Sequence, residues 1–263
     1  LYAHQPGRHQ ADAARVARCY WRADELPDIP RFNAATCKDS PPALLEALQS
    51  AKRSGLVIFD GLEQNDHAGE HLGELIGFKR QTNFGTLFEV RNKPSPNNLA
   101  YTALALPLHT DLPNQEQIPG YQFLHCCRNS AVGGASVFAD GFRICEDLKN
   151  DAPEAFALLS STHLPWRFHD ERDDVRYRRP IIALDSAGEL CGLAFNAHIA
   201  DVPDIAPDQL LDFYKAYRGL MLRIRAPQYR LCQTLQPGEM VMFDNRRVLH
   251  GREAFDSGSG DRH

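Results

Sequence analysis

Leu108-His109-Thr110-Asp111 and, far downstream, Phe243-Asp244-Asn245-Arg246-Arg247-Val248-Leu249-His250-Gly251-Arg252 are the two stretches whose joint reading decides the fold. Residues two apart on a β-strand point to the same face, so a strand through the first stretch presents the His109 imidazole and the Asp111 carboxylate to one point. A second imidazole, His250, delivered by a later strand, completes a 2-His-1-carboxylate facial triad. Such a triad suits non-haem Fe(II) and leaves coordination positions open for a co-substrate and O2. With 11 histidines and 21 aspartates in 263 residues, about one His-x-Asp triplet is expected by chance, so the triplet alone carries little weight. The weight comes from a third ligand-type residue near the end of the chain and from Arg262 beyond it, a candidate anchor for an anion. The plainer reading makes His109 a loop cap and His250 a core histidine.

Composition narrows the alternatives. A chain of 263 residues, 43% hydrophobic, can bury one substantial core. A formal net charge of -5 with scattered basic residues gives no reason to expect nucleic acid. No apolar run approaches the ~18 residues that a membrane span needs, and no signal-peptide pattern opens the chain. The expectation is a soluble, cytoplasmic protein without a membrane partner. Seven cysteines, an odd number without Cys-x-x-Cys spacing, argue for buried thiols in a reducing compartment rather than a disulfide framework. The adjacent Cys126 and Cys127 read as packing residues.

Along the chain, residues 26–30 read as a linker. Ser40 and Pro41-Pro42 open a helix that stops at Gly55. Residues 56–59 form a buried strand, and a second helix spans 66–76. A strand over 83–90 places Phe84, Thr86 and Phe88 on one face, and a further extended piece covers 97–101. Strands follow at 121–127 and 136–140, separated by a Gly133-Gly134 turn. Helical pattern returns at 141–148 and after Pro153. A hairpin joins 180–184 to 189–195, the longest helix covers 207–224, and strands at 229–235 and 240–244 follow, the last delivering His250. Strands interrupted by helices, with no internal repeat and no Gly-rich strand-to-helix turn, predict a mainly β molecule with flanking helices outside a jelly-roll-type core.

Taken in order, Asn98-Leu99-Ala100-Tyr101-Thr102, His109-Thr110-Asp111, Gln122-Phe123-Leu124-His125-Cys126, Gly133-Gly134, Asp140-Gly141-Phe142 and the stretch ending in His250-Gly251-Arg252 resemble the γ-butyrobetaine hydroxylases. These belong to the taurine-dioxygenase-like branch of the 2-oxoglutarate oxygenases, and the resemblance runs from about Pro30 to the last residue. It implies a double-stranded β-helix enzyme that uses Fe(II), 2-oxoglutarate and O2 to hydroxylate γ-butyrobetaine to L-carnitine, releasing succinate and CO2. The implied metal ligands and catalytic residues are His109, Asp111 and His250. Arg262 would pair with the distal carboxylate of 2-oxoglutarate and Ser136 would touch that co-substrate. For the quaternary ammonium substrate, Phe84, Phe88 and Tyr101 fall on aromatic-cage positions, and Asn98 and Asn196 on positions that bind the substrate carboxylate. The two Phe residues stand where animal enzymes carry Tyr and Trp. A phenyl face holds a cation less well than an indole, which leaves trimethyllysine or a trimethylaminoethylphosphonate as alternative substrates. A non-catalytic quaternary-amine binding module is the alternative of another class.

The resemblance also implies that residues 1–29 are the remnant of a small N-terminal zinc-type domain and a linker. Residues 30–263 would be the oxygenase domain, incomplete at its C-terminus. In that family three Cys and one His hold the zinc; His9 falls where the His would, but no cysteine cluster precedes it, and one imidazole cannot hold Zn(II) alone. A homodimer is the implied assembly.

Overall fold

Leu56-Val57-Ile58-Phe59 is fully buried, and its alternation sorts the molecule into layers. Leu56 and Ile58 look into one apolar cluster, Val57 and Phe59 into another, as a strand buried on both faces requires. The computed structural model describes residues 16–65, 67–90 and 102–263. Through them run β1 (Arg31–Asn33), α1 (Ala34–Asp39), α2 (Pro41–Ser54), β2 (Leu56–Asp60), α3 (Ala68–Ile76), β3 (Leu106–His109), β4 (Tyr121–His125) and β5 (Ser136–Asp140). After these come α4 (Gly141–Asp151), α5 (Pro153–Ser161), β6 (Leu164–His169), β7 (Asp174–Arg179), β8 (Ile182–Leu184), β9 (Leu190–Leu193), α6 (Pro207–Arg225), β10 (Leu231–Gln233), β11 (Met240–Asp244) and β12 (Val248–Arg252).

Two four-stranded sheets carry the fold, in the orders β1-β2-β11-β4 and β10-β5-β12-β3. Only the β1–β2 pairing is parallel. Between the sheets, Ile58, Val241 and Phe243 of the first meet Phe138 and Val248 of the second, with Trp21 added from the N-terminal segment. On its outer face the first sheet packs Val57, Phe59, Met240 and Met242 against Ala47 and Ala51 of α2 and Leu72 of α3. The second sheet's outer face packs Ala139 and Leu249 among Ile144, Leu148, Leu159, Phe213 and Leu220 of α4, α5 and α6. Each large side chain so enclosed contributes roughly 1.5–3 kcal/mol. The arrangement is the jelly-roll core with helices outside it that the strand pattern predicts. No helix among the described residues is long and apolar enough to cross a membrane.

Local chemistry explains where elements begin and end. The Ser40 hydroxyl accepts from the Ala43 amide, Pro41 occupies the first turn, and Gly55 ends α2 at φ +87°. The turn from β11 to β12 is fixed by a buried ion pair: the Arg247 guanidinium donates Nε to Asp140 Oδ1 at 3.0 Å and Nη2 to Oδ2 at 2.7 Å. Arg247 also donates to the Arg53 and Cys19 carbonyls, while Asp140 accepts from the Trp21 and Phe142 amides. The pair thereby joins both sheets, the end of α2 and the N-terminal segment.

Several expectations need correction. β11 does not deliver His250; the Arg247-pinned turn passes the chain to the other sheet, where β12 carries it. Residues 83–90 form no strand, because a tight turn exchanges hydrogen bonds between Thr82 and Gly85 with Gly85 at φ +89°, a conformation that ends any period-2 run. The 26–30 stretch is not a free linker: Ile29 is buried and Leu26 packs against the same cluster. The β6–β7 hairpin was absent from the sequence reading. The expected 97–101 segment, with Asn98 and Tyr101, lies outside the described residues, as does His9.

Candidate metal centre

β12 pairs antiparallel with β3, and the register sets His250 directly opposite His109, so the two rings lie on one face with centroids 4.3 Å apart. Close approach of the two backbones requires a residue without a side chain after His250. A Cβ on Gly251 would stand 2.5 Å from the Leu106 carbonyl oxygen. Asp111 reaches the same point differently from the expected strand alternation. β3 ends at His109, and three residues on the backbone turns through Leu112 in the left-handed region at φ +55°. The Asp111 carboxylate then lies with Oδ1 3.2 Å from His109 Nε2 and Oδ2 3.4 Å from His250 Nε2. One ligand atom from each of the three lies within 4.8 Å of the others.

The surroundings orient these side chains. His109 Nδ1 sits 2.9 Å from the Pro107 carbonyl, which places the ring proton there and leaves the Nε2 lone pair facing the cluster. Thr110 is fully buried and exchanges hydrogen bonds with Phe195: its amide donates to the Phe195 carbonyl, and its hydroxyl accepts from the Phe195 amide. Asn245 and Gln122, to which the sequence reading gave no role, both touch Asp111.

Electrostatics follow from the geometry. Burial works to raise the Asp111 carboxyl, but the two imidazoles outweigh it and hold its pKa well below the ordinary value. For His109, burial works downward, yet the hydrogen bond and charge of Asp111 carry the pKa above its ordinary value. His250 is lowered by burial and by its neighbour His109. The side chains of His109 and His250 are 12% and 16% exposed and that of Asp111 38%, so solvent reaches the cluster on its carboxylate side. An ionised carboxylate with two imidazole nitrogens converging on one point is a donor set that fits a divalent first-row ion, iron included.

The remaining expected residues divide between a pair of arginines around Phe255 and an aromatic cluster. Ser136 is buried and registered opposite Arg252 on β12, on the face that also carries His250. The guanidinium carbons of Arg252 and Arg262 lie 5.0 and 5.6 Å from the Phe255 ring centre. Among the described residues the enclosed Arg262 Nε has no hydrogen-bond partner. Burial, then the neighbouring Arg262 charge, brings Arg252 down to about 10; burial lowers Arg262 as well. Gly134, at φ +71°, lies against these side chains, where a Cβ would come within 2.9 Å of Arg262 Nε. Arg252 was not anticipated, although the period of two from His250 pointed to it.

Phe84 meets Phe88 edge to face at 5.8 Å and, unforeseen, Phe168 of β6 at 5.1 Å. Asn196 is buried with its amide committed to the main chain: Nδ2 donates to the Thr110 carbonyl at 3.4 Å and Oδ1 accepts from the His198 amide at 3.1 Å. It therefore braces the segment between His109 and Asp111.

Comparison with known proteins places this geometry. The chain is 40% identical over 254 residues to a γ-butyrobetaine dioxygenase of Pseudomonas sp. (strain AK-1), an alignment covering 97% of this chain and 66% of the relative. It is 33% identical over 218 residues to the γ-butyrobetaine dioxygenase of Homo sapiens, covering 81% of this chain and 56% of the relative. The chain thus spans less than two thirds of the length of these relatives. Among solved structures, an asparagine oxygenase in complex with Fe(II), 2S,3S-3-hydroxyasparagine and succinate superposes with a TM-score of 0.65 at 17% identity, covering 87% of this chain and 79% of that one. It is a likeness of fold. The sequence profile of the taurine catabolism dioxygenase TauD, TfdA family matches residues 22–263, and this chain is a member of that family.

Proposed function

We propose that this chain is an Fe(II)- and 2-oxoglutarate-dependent dioxygenase that hydroxylates γ-butyrobetaine to L-carnitine. The observation that carries the reading is the meeting of His109, Asp111 and His250 at one point, in a chain 40% identical to a γ-butyrobetaine dioxygenase. His109 and His250 would hold the ion through Nε2 and Asp111 through its carboxylate. Ferrous iron in such a site supplies oxidative chemistry in which 2-oxoglutarate is converted to succinate and CO2 and one oxygen atom enters a substrate C–H bond.

The protein's part is binding, orientation and exclusion of water. Arg262, whose enclosed Nε has no partner among the described residues, would take the distal carboxylate of 2-oxoglutarate in its planar fork, with Ser136 alongside. Phe84 and Phe88, with Tyr101, would face the trimethylammonium group, where each well-placed ring contributes roughly 0.5–2 kcal/mol. Asn98 would donate to the substrate carboxylate, whereas Asn196, its amide bonded to the main chain at Thr110 and His198, would act by bracing that segment. The seven free cysteines fit a cytoplasmic enzyme, and the family resemblance supports a homodimer. It also supports an N-terminal remnant ahead of the oxygenase domain, although the expected boundary near residue 30 is shifted by Trp21, Leu26 and Ile29, which pack into the oxygenase core.

The test is succinate release by the purified chain with Fe(II), 2-oxoglutarate and O2, with γ-butyrobetaine, trimethyllysine or a trimethylaminoethylphosphonate offered in turn. γ-Butyrobetaine is expected to give the highest kcat/KM, and Asp111→Ala to abolish release. A preference for another compound would reassign the substrate. Binding of quaternary amines without any iron-dependent O2 uptake would make the chain a binding module.

A further inference from the structure

The metal cluster is assembled from two segments that no continuous strand joins: the end of β3, with His109 and Asp111, and β12, with His250. Each half could be well folded and the ion still poorly held if their separation drifted. Asn245 is the one side chain hydrogen-bonded to the main chain of Asp111 from the turn that leads into β12. It is fully buried. Its Oδ1 accepts from the Asp111 amide at 2.7 Å, and its Nδ2 donates to the Asp111 carbonyl at 3.0 Å and to the Pro119 carbonyl at 3.2 Å. Its own amide donates to the Gly120 carbonyl at 2.9 Å. An amide that accepts from the N–H and donates to the C=O of the same residue holds the two peptide groups flanking its Cα. The following residue is Leu112 at φ +55°, a conformation that non-glycine residues keep only where their surroundings impose it.

A second amide acts on the carboxylate itself. Gln122, on β4 of the opposite sheet, donates Nε2 to Asp111 Oδ2 at 3.1 Å. Its Oε1 is enclosed and, among the described residues, has no hydrogen-bond partner. The side chain is thus held with one end idle and the other on the oxygen that also faces His250.

We infer that Asn245 and Gln122 are positioning residues of the metal centre, Asn245 setting the distance between its two halves and Gln122 setting the rotation of the Asp111 carboxylate. The inference rests on the proposed metal site and adds to it two residues outside the ligand set. Partners of this kind typically hold 10- to 100-fold of metal affinity or activity.

The experiment uses the full chain stripped of metal and titrated with Mn(II), followed by the electron paramagnetic resonance of the free ion. The visible absorption of the Co(II)-saturated protein is recorded in parallel. Asn245→Ala and Gln122→Leu are each expected to raise the Mn(II) Kd by about 10- to 100-fold and to alter the Co(II) bands at saturation, which a purely structural role would leave unchanged. Arg246→Ala, an exposed neighbour in the same turn, should bind as the wild type does. Gln122→Leu should keep the wild-type unfolding midpoint, so it decides the matter alone if Asn245→Ala fails to fold. Folded variants with wild-type affinity and wild-type Co(II) bands would overturn the inference. A wild-type chain that binds no Mn(II) would instead overturn the metal site, and the inference with it.

Discussion

Arg247 and Asp140 are almost completely buried, 2% and 0% exposed, and such a pair is more expensive to halve than to replace whole. Removing one partner strands the other charge in an apolar interior, which typically costs about 3–5 kcal/mol. Arg247→Met is therefore expected to lower stability by about that amount in urea denaturation. Arg246→Met, next to it but exposed, should change stability by less than about 0.5 kcal/mol. Asp147 allows a test with a pH signature. Burial raises its pKa, but the Tyr229 hydroxyl at 2.7 Å and the Arg22 and Arg143 guanidiniums outweigh burial and lower it. A carboxyl whose folded pKa lies below its unfolded value stabilises the fold above the unfolded value, and that contribution is lost as pH falls through the folded one. Asp147→Asn should therefore cost about 1–3 kcal/mol at pH 7. In urea midpoints measured across pH, the gap to wild type should stay level down to about pH 4 and close below it. A gap that widened in acid would contradict the assignment. Residue by residue, the sequence exposed the ligand types and Arg262, because carboxylate, imidazole and guanidinium declare their chemistry. It gave no hint that Asn245 grips Asp111, since an asparagine in a turn usually serves that turn alone.

At the scale of elements, legibility depended on whether a rule of local chemistry was strong. α2 was readable to its ends because Ser40, Pro41 and Gly55 each occupy their preferred cap positions. The β6–β7 hairpin was equally readable in principle: Trp166 and Phe168 alternate with polar residues before the Asp170–Asp173 turn. Residues 83–90 misled because aromatic alternation imitates a strand, while Gly85 at φ +89° interrupts it. The approach of β3 to β12 belongs to tertiary structure and was out of reach, although Gly251 is its local trace. Gly251→Ala should push β3 off by its contact with the Leu106 carbonyl and separate His109 from His250. The expected result is at least a tenfold rise in Mn(II) Kd with most of the helical circular dichroism retained, since the helices pack on other faces. Unchanged affinity would mean that the two strands tolerate a wider spacing than their register suggests.

For the whole molecule, a ligand that binds only the folded chain stabilises it by mass action. Mn(II) at about 100 times its Kd should add about 2.7 kcal/mol, which for a chain of this size raises Tm by several degrees. A chelator should reverse the shift, and His250→Ala should abolish it while keeping the metal-free Tm within a few degrees. The jelly-roll class was legible from the interrupted strands together with the family resemblance, whereas the layering was not, because three apolar clusters all read as one hydrophobic fraction. The order β10-β5-β12-β3 puts β3 at the border of its sheet, paired, among the described residues, along one flank. Border strands are the first to fray, and the amides there exchange with solvent through local openings rather than global unfolding. An ion gripped by His109 on that strand and His250 on its inner neighbour acts as a rivet across the seam. Deuterium uptake at residues 106–109 should therefore slow markedly on metal loading while uptake along β2 stays level, and the ion's residence time should track how often the border lifts.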